Sequence, residues 1–226
     1  MPKTKAKPEA QLTRRKEAQQ ERSRQKVELI LSVTRDLLSE GPAHKVTTIG
    51  IAERAGISIG SLYRFFPNKE SIFYELFRRW LEDTLHVLDE VQAGLTDEHS
   101  AEHCVDAFLQ ALTEPKLNSI QNWKLRLAMG TSPELVALEE QHLHDVMIRI
   151  QTLQRRFGAP PPSELELELM LLQNEVTLRC LYSLSAMQHS PNRDKLYDLC
   201  RKLLLLIYDY PSWDALGPPS IPPAEA

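Results

Sequence analysis

Apolar residues recur at helical spacing along this chain, most densely in two late segments. Leu165, Leu169, Leu172, Val176, Leu181 and Leu184 form one stripe, and Leu196, Leu199, Leu203, Leu206 and Ile207 form another. Leu167, Leu171, Leu178, Leu204 and Leu205 widen the apolar arc beyond a single buried face, which points to a second packed surface on the same helices. Glycine and proline punctuate the pattern at Gly41-Pro42, Gly56, Pro67, Gly94, Pro115, Gly130, Pro133, Gly158 through Pro162 and Pro191. Ser132-Pro133 has the form of an N-cap followed by proline in the first turn, and Ser163 to Glu166 that of a capping box. The punctuation predicts helices near 22–40, 48–55, 59–65, 69–93, 101–113, 116–129, 133–157, 164–189 and 192–208, about nine in all.

Composition sharpens that reading to an all-α fold. Leucine outnumbers valine 35 to 9, and no Asn-Gly, Asp-Gly or Gly-Gly dipeptide marks a hairpin. The longest uninterrupted apolar run, Leu203 to Tyr208, is far short of the roughly 18 to 20 residues a membrane-spanning helix needs. Lys3, Lys5 and Lys7 are followed by no apolar stretch of signal-peptide type, so a cytoplasmic protein is expected. The net charge of −4 hides a division. Residues 1–80 hold 16 Lys and Arg against 9 Asp and Glu, a net of +7, while residues 81–226 hold 11 against 22, a net of −11. A basic head on an acidic body suits a nucleic-acid-binding part carried by a part with another task.

The stretch from Thr47 to Phe66 has helix-turn-helix grammar. Two short helices that cross steeply need a small residue where they touch and one that tolerates positive φ in the turn; Ala52 and Gly56 supply these. Ile51, Ala55, Ile57, Leu62 and Phe65 then face inward. Ser58, Gly60, Ser61 and Arg64 face outward, a short-chained surface with one long donor, suited to a DNA major groove.

The run IAERAGISIGSLYRFFPNKESI resembles the DNA-binding signature of TetR-type transcriptional regulators. The resemblance covers residues 24 to about 77, and the remainder agrees in length and helix count. It implies that Thr47 or Thr48, Tyr63 and Lys69 hold phosphates, and that Ser58, Ile59, Gly60, Ser61 and Arg64 face base edges. Hydroxyls and helix starts suit phosphate oxygens, and arginine offers guanine a two-pronged donor. Gly50 departs from the polar residue more usual at its position and slightly weakens its helix.

Two patterns raise enzyme chemistry. Gly56 to Gly60 satisfies the G-x-S-x-G form of a nucleophile elbow around Ser58, yet that elbow needs a preceding strand and Thr48 to Ala55 has no strand character. His99 and His103 satisfy the H-x-x-E-H spacing of a zinc protease, but Ser100 reads as an N-cap that leaves His99 outside the helix. A helical hydrolase or metal enzyme using Ser58 or the His99 and His103 pair is therefore the alternative reading. His142 and His144 point apart on a helix, and Cys104, Cys180 and Cys200 read as reduced core thiols. No cofactor and no metal are expected.

Behind the head, Trp80, Phe108, Trp123, Met129 and Met147 are candidates to line a ligand cavity, although such residues also build cores. The resemblance implies a homodimer joined through the last two helices, two heads reading a palindromic double-stranded operator, and a small-molecule effector that shifts the helix beginning at Lys69. The expected division is a basic flexible tail over 1–22, a DNA-binding domain over 23–68, a ligand-binding and dimerisation domain over 69–210, and a proline-rich tail over 211–226. The expected function is a homodimeric, sequence-specific repressor released by an apolar or amphipathic effector.

Overall fold

A computed structural model describes residues 9–96, 99–114, 117, 120–130, 132–156, 161–187 and 190–208. Among these residues every regular element is helical: α1 (Glu9–Glu40), a 3-10 turn (Ala43–Lys45), α2 (Thr48–Arg54), α3 (Ile59–Tyr63), α4 (Lys69–Gly94), α5 (Ala101–Leu112), α6 (Ile120–Met129), α7 (Pro133–Arg156), α8 (Glu164–Ala186) and α9 (Arg193–Tyr208). The 211–226 tail, residues 1–8, and the side chains of Trp123, Leu165, Leu206 and Ile207 lie outside the described residues. None of the described helices is long and apolar enough to cross a membrane.

The three helix starts for which the sequence announces a cap carry it. Ser163 accepts from the Glu166 backbone while the Glu166 carboxylate accepts from the Ser163 N–H, a complete capping box for α8. Ser100 caps α5 and the Ser132 hydroxyl accepts from Leu135 N at the start of α7. The first helix differs from expectation: α1 begins at Glu9, not near residue 22. Its early turns are built from Glu, Arg, Lys, Gln and Ala, and Gln25 donates to Glu21 over 3.1 Å. Strong helix formers and pairs four residues apart sustain these early turns, whose sequence offers no apolar stripe of the kind found later in the same helix.

The chain divides into two compact units, Met1–Leu76 and Phe77–Ala226. The division falls two turns into α4 and not at its start, because Ile72, Phe73 and Leu76 are buried with the first unit. That unit is built on Ile30, Leu31, Val33 and Leu38 of α1, with Ile51, Ala52 and Leu62 from the two short helices. The second unit centres on Val105, Leu109, Met147, Ile150, Met170, Leu184, Cys200 and Leu204, with a smaller cluster of Leu88, Leu95, Cys104, Phe108 and Leu153. Cys104 and Cys200 are buried, Cys180 is half-buried, and none of the three is in a disulfide.

Arginine forks tie the helices of the second unit together. Arg149 of α7 donates to both oxygens of Asp89 in α4 at 2.7 and 2.8 Å. Arg201 of α9 does the same to Asp106 of α5 at 2.6 and 3.0 Å, bridging 95 residues of chain. Hydrogen bonds from these guanidinium groups hold the Asp89 and Asp106 carboxyls below the usual carboxylate range. Arg126 of α6 is bound to Glu139 of α7.

The buried face of α8 is not the one leucine content suggests. Met170, Gln173, Asn174, Thr177 and Leu184 are buried, whereas Leu172 is 59% and Val176 42% exposed. Gln173 reaches inward because its amide donates to the Leu203 carbonyl of α9, and Thr177 because its hydroxyl donates to the Gln173 carbonyl at 2.9 Å. Polar side chains can enter a core where a partner takes up part of their hydrogen bonding, so hydropathy alone selects the wrong side of this helix.

Candidate nucleic-acid interface

The turn between α2 and α3 follows from two amide bonds. Ile57 N donates to Ala52 O at 3.0 Å and Gly56 N to Glu53 O at 3.1 Å, the paired closure of a Schellman motif. Gly56, at φ 63°, occupies the left-handed position this closure requires. Thr47 caps α2 by accepting from Gly50 N, and a Cβ at Gly50 would stand 3.3 Å from that same hydroxyl oxygen. Glycine there keeps the cap undisturbed, which offsets part of its low helix propensity. Arg54, at the end of α2, donates to both carboxylate oxygens of Glu40 at the end of α1, at 2.6 and 2.5 Å. That fork holds the Glu40 carboxyl below its ordinary range.

Ile51, Ala52 and Leu62 are buried, while Ala55, Ile57 and Phe65 are half-buried. The buried aromatic of the pair is Phe66 and not Phe65, since α3 closes at Tyr63 and Phe66 N donates to Leu62 O. That bond sets Phe66 one turn beyond Leu62 on the same face.

The outer surface gathers most of the residues singled out from sequence. Ser58 caps α3, its hydroxyl accepting from Ser61 N at 3.2 Å; Ile59, Gly60, Tyr63 and Arg64 are exposed. Ser61 stands apart from them, because its hydroxyl oxygen is buried and has no hydrogen-bond partner among the described residues. Thr48 of α2 and Tyr63 of α3 meet hydroxyl to hydroxyl at 3.1 Å, which joins the two helices across the outer face. Lys69 opens α4 with its ammonium 5.5 Å above the Phe73 ring. Asn68 caps that helix, its side chain accepting from Ser71 N at 2.7 Å. Ile49, 60% exposed in the first turn of α2, was not singled out from sequence. The signal for it is its phase: it does not share the face of buried Ile51 and Ala52.

The enzyme-like patterns meet a different geometry. Helix α2, not a strand, precedes Ser58, and the Ser58 hydroxyl is engaged in capping. His99 and His103 do come together, their rings stacked at 4.2 Å and 8° from parallel, although Ser100 leaves His99 outside α5. Thr96 N donates to His99 Nδ1 at 2.8 Å, and no group of three or more metal-ligating side chains exists among the described residues.

In the second unit a cavity of about 60 Å³ is lined by side chains of α4, α5, α7, α8 and α9. Phe108 lines it. Met147 is buried in the adjoining core, and Trp80 donates its indole N–H to Leu117 O at 2.7 Å while packing against Phe77 and Tyr182. Met129 is half-buried at the end of α6, away from the cavity walls. Sequence reasoning missed the polar liners His142 and Asn174, whose helical phase places them on the inner faces of α7 and α8.

The exposed helix-turn-helix defines the class of the first unit, a helix-turn-helix domain of the kind that enters a DNA groove. Residues 30–76 match the family of bacterial regulatory proteins named for tetR, which identifies the first unit as carrying a DNA-binding domain of that family. The nucleoid occlusion factor SlmA of Haemophilus ducreyi is 34% identical over 99 residues, 44% of this chain and 46% of SlmA. The HTH-type transcriptional repressor KstR2 of Rhodococcus jostii is 34% identical over 84 residues, 37% of this chain and 41% of that protein. The chain thus spans about half the length of the curated relatives it matches. A TetR-family transcriptional regulator from Streptomyces coelicolor superimposes with a TM-score of 0.56 at 23% identity, covering 83% of this chain and 98% of that one. That likeness extends the fold to the body.

Proposed function

We propose that this protein is a homodimeric transcription regulator that binds a palindromic duplex and leaves it when a small, largely apolar effector enters the second unit. The observation that carries the reading is the Thr48–Tyr63 hydroxyl pair. It sets two phosphate-seeking groups beside the exposed row Ser58, Ile59, Gly60 and Arg64, in a stretch, residues 1–80, of net charge +7. In this reading Thr47, Thr48, Tyr63 and Lys69 hold backbone phosphates, Arg64 reads a guanine edge, and Ile59 and Ile49 meet thymine methyl groups. Gly60 adds no bulk, so the α3 backbone approaches the groove closely.

Exposed Leu172 and Val176 on α8, with Leu199 on α9, support pairing of two copies through these helices. A two-fold axis then presents two heads to two half-sites. The domain division proposed for this function is a DNA-binding part through residue 68 and an effector and pairing part over 69–210. The effector acts by favouring one arrangement of the paired heads over another, since a ligand indifferent to the two would shift nothing.

Selection of bound fragments from a random-sequence library and from the source genome tests the reading. A recovered palindrome is the expected result, and a pool without any enriched site overturns it.

A further inference from the structure

The cavity in the second unit has walls of Leu88, Val105, Phe108, Ile150 and Leu204, and five polar side chains also reach it. Three of those five are already occupied. Thr84 donates to Trp80 O at 2.9 Å, Thr177 donates to Gln173 O at 2.9 Å, and Arg149 is spent on both oxygens of Asp89. The other two are His142, 4% exposed, and Asn174, 6% exposed. His142 Nδ1 and Asn174 Nδ2 are buried and have no hydrogen-bond partner among the described residues. A buried amide N–H without an acceptor is rare and costly, and a site that places one beside apolar walls favours any ligand that supplies the acceptor.

We propose that this cavity is the effector site and that it selects a compact, uncharged, apolar molecule bearing a hydroxyl group, whose oxygen accepts from Asn174 Nδ2; this rests on the reading of the second unit as an effector-responsive body. Hydroxyl is the group that also suits His142, because it donates or accepts according to which imidazole nitrogen carries the proton. Charge is excluded by the walls. The Arg149 guanidinium is neutralised by Asp89, so a carboxylate would lose its water without gaining a free cation, and an ammonium would find no free anion. Burial also lowers the His142 pKa to about 4, which keeps the ring neutral at physiological pH.

Size gives the binding its consequence. A cavity on the order of 150 Å³ takes a benzene molecule, and the space here is about 60 Å³. A ring-sized ligand is therefore larger than the space as it stands, and in this proposal it binds best to a form in which helices of the second unit have moved apart.

The test uses the full chain and three probes of one size: phenol, toluene and benzoate, titrated calorimetrically and by thermal melting in the absence of DNA. Phenol is expected to bind about tenfold tighter than toluene and to raise the melting temperature, whereas benzoate does neither. In Asn174→Leu, phenol and toluene should bind alike. Equal affinities in the unmodified chain overturn the proposal without reference to any variant, as does binding of none of the probes, which would mark the cavity as a site for water only. Gel shifts with a selected duplex run beside these titrations. Phenol preference without duplex binding sinks the regulator reading alone, and duplex binding without phenol preference sinks the cavity proposal alone.

Discussion

Alanine placed at Gly56 and at Gly60 should move the stability of the head in opposite directions, although a Cβ at either position meets nothing within 4 Å. With no steric contact at either site, backbone conformation alone decides the sign. Gly56 sits at φ 63°, where an L-residue costs roughly 1 to 2 kcal/mol. Stiffening of the unfolded chain by alanine returns about 0.4 to 1 kcal/mol, leaving a net destabilisation of about 1 kcal/mol. Gly60 lies inside α3 without a positive φ, and replacing a helical glycine by alanine gains from a few tenths to about 1 kcal/mol. Amide hydrogen exchange of the full chain, read on peptides covering Thr48–Phe66, measures both. A loss of about 1 kcal/mol speeds exchange of the Gly56 and Ile57 amides roughly fivefold when opening is local, and Gly60→Ala should slow exchange in the same peptide. The reasoning fails if the two variants shift exchange in the same direction. Gly60→Ala carries a further expectation, weaker operator binding from a more stable head, because its methyl group would intrude where the proposed function brings the α3 backbone close to the groove.

Arg64→Ala should lose about 1 to 3 kcal/mol of operator affinity and relax preference at one base position, while Lys69→Ala weakens all duplexes alike; competition gel shifts separate the two patterns. Leu172→Glu combined with Val176→Glu should give monomers by light scattering at micromolar concentration and abolish operator binding, and an unmodified chain that is itself monomeric refutes the pairing surface. Burial lowers the His142 pKa from 6.5 to about 4, so the unfolded chain holds the extra proton between those values. Stability from this residue is therefore complete above pH 6.5 and falls as pH drops toward 4, and His142→Leu should flatten thermal melting across that window. Asp89 and Asp106, both lowered by arginine, add loss at still lower pH, which Arg201→Gln should reduce for the Asp106 share.

Local chemistry made much of the head legible before any coordinates. Gly56 was readable as a positive-φ turn, Ser100 and Ser163 as caps, and the inward phase of Ile51 and Leu62 from their neighbours. Each of these depends on residues within a few positions of one another. What sequence could not supply depends on partners far along the chain. Gln173 and Thr177 read as solvent-facing residues on α8 until the Leu203 carbonyl is brought opposite, and Leu172 reads as core until that exchange is known. The effector candidates follow the same rule. Trp80 and Met147 are ordinary core or hydrogen-bonded residues, whereas the informative liners are two polar side chains that hydropathy had no reason to select.

The Asp106–Arg201 fork spans 95 residues, and it sets a schedule for synthesis. The first unit is complete once residue 76 has left the ribosome, since its helices pack on near neighbours in sequence. Helix α5 is made soon afterwards but must wait for α9, so the second unit closes only when nearly all the described chain has emerged. Leu199, on the pairing surface proposed above, arrives with α9 as well. A nascent chain can therefore present a finished head for many seconds before it can acquire a partner, at ordinary translation rates of about 5 to 20 residues per second. In the proposed reading a single head holds DNA weakly, so a half-made molecule would not compete with the proposed dimer for its palindromic site.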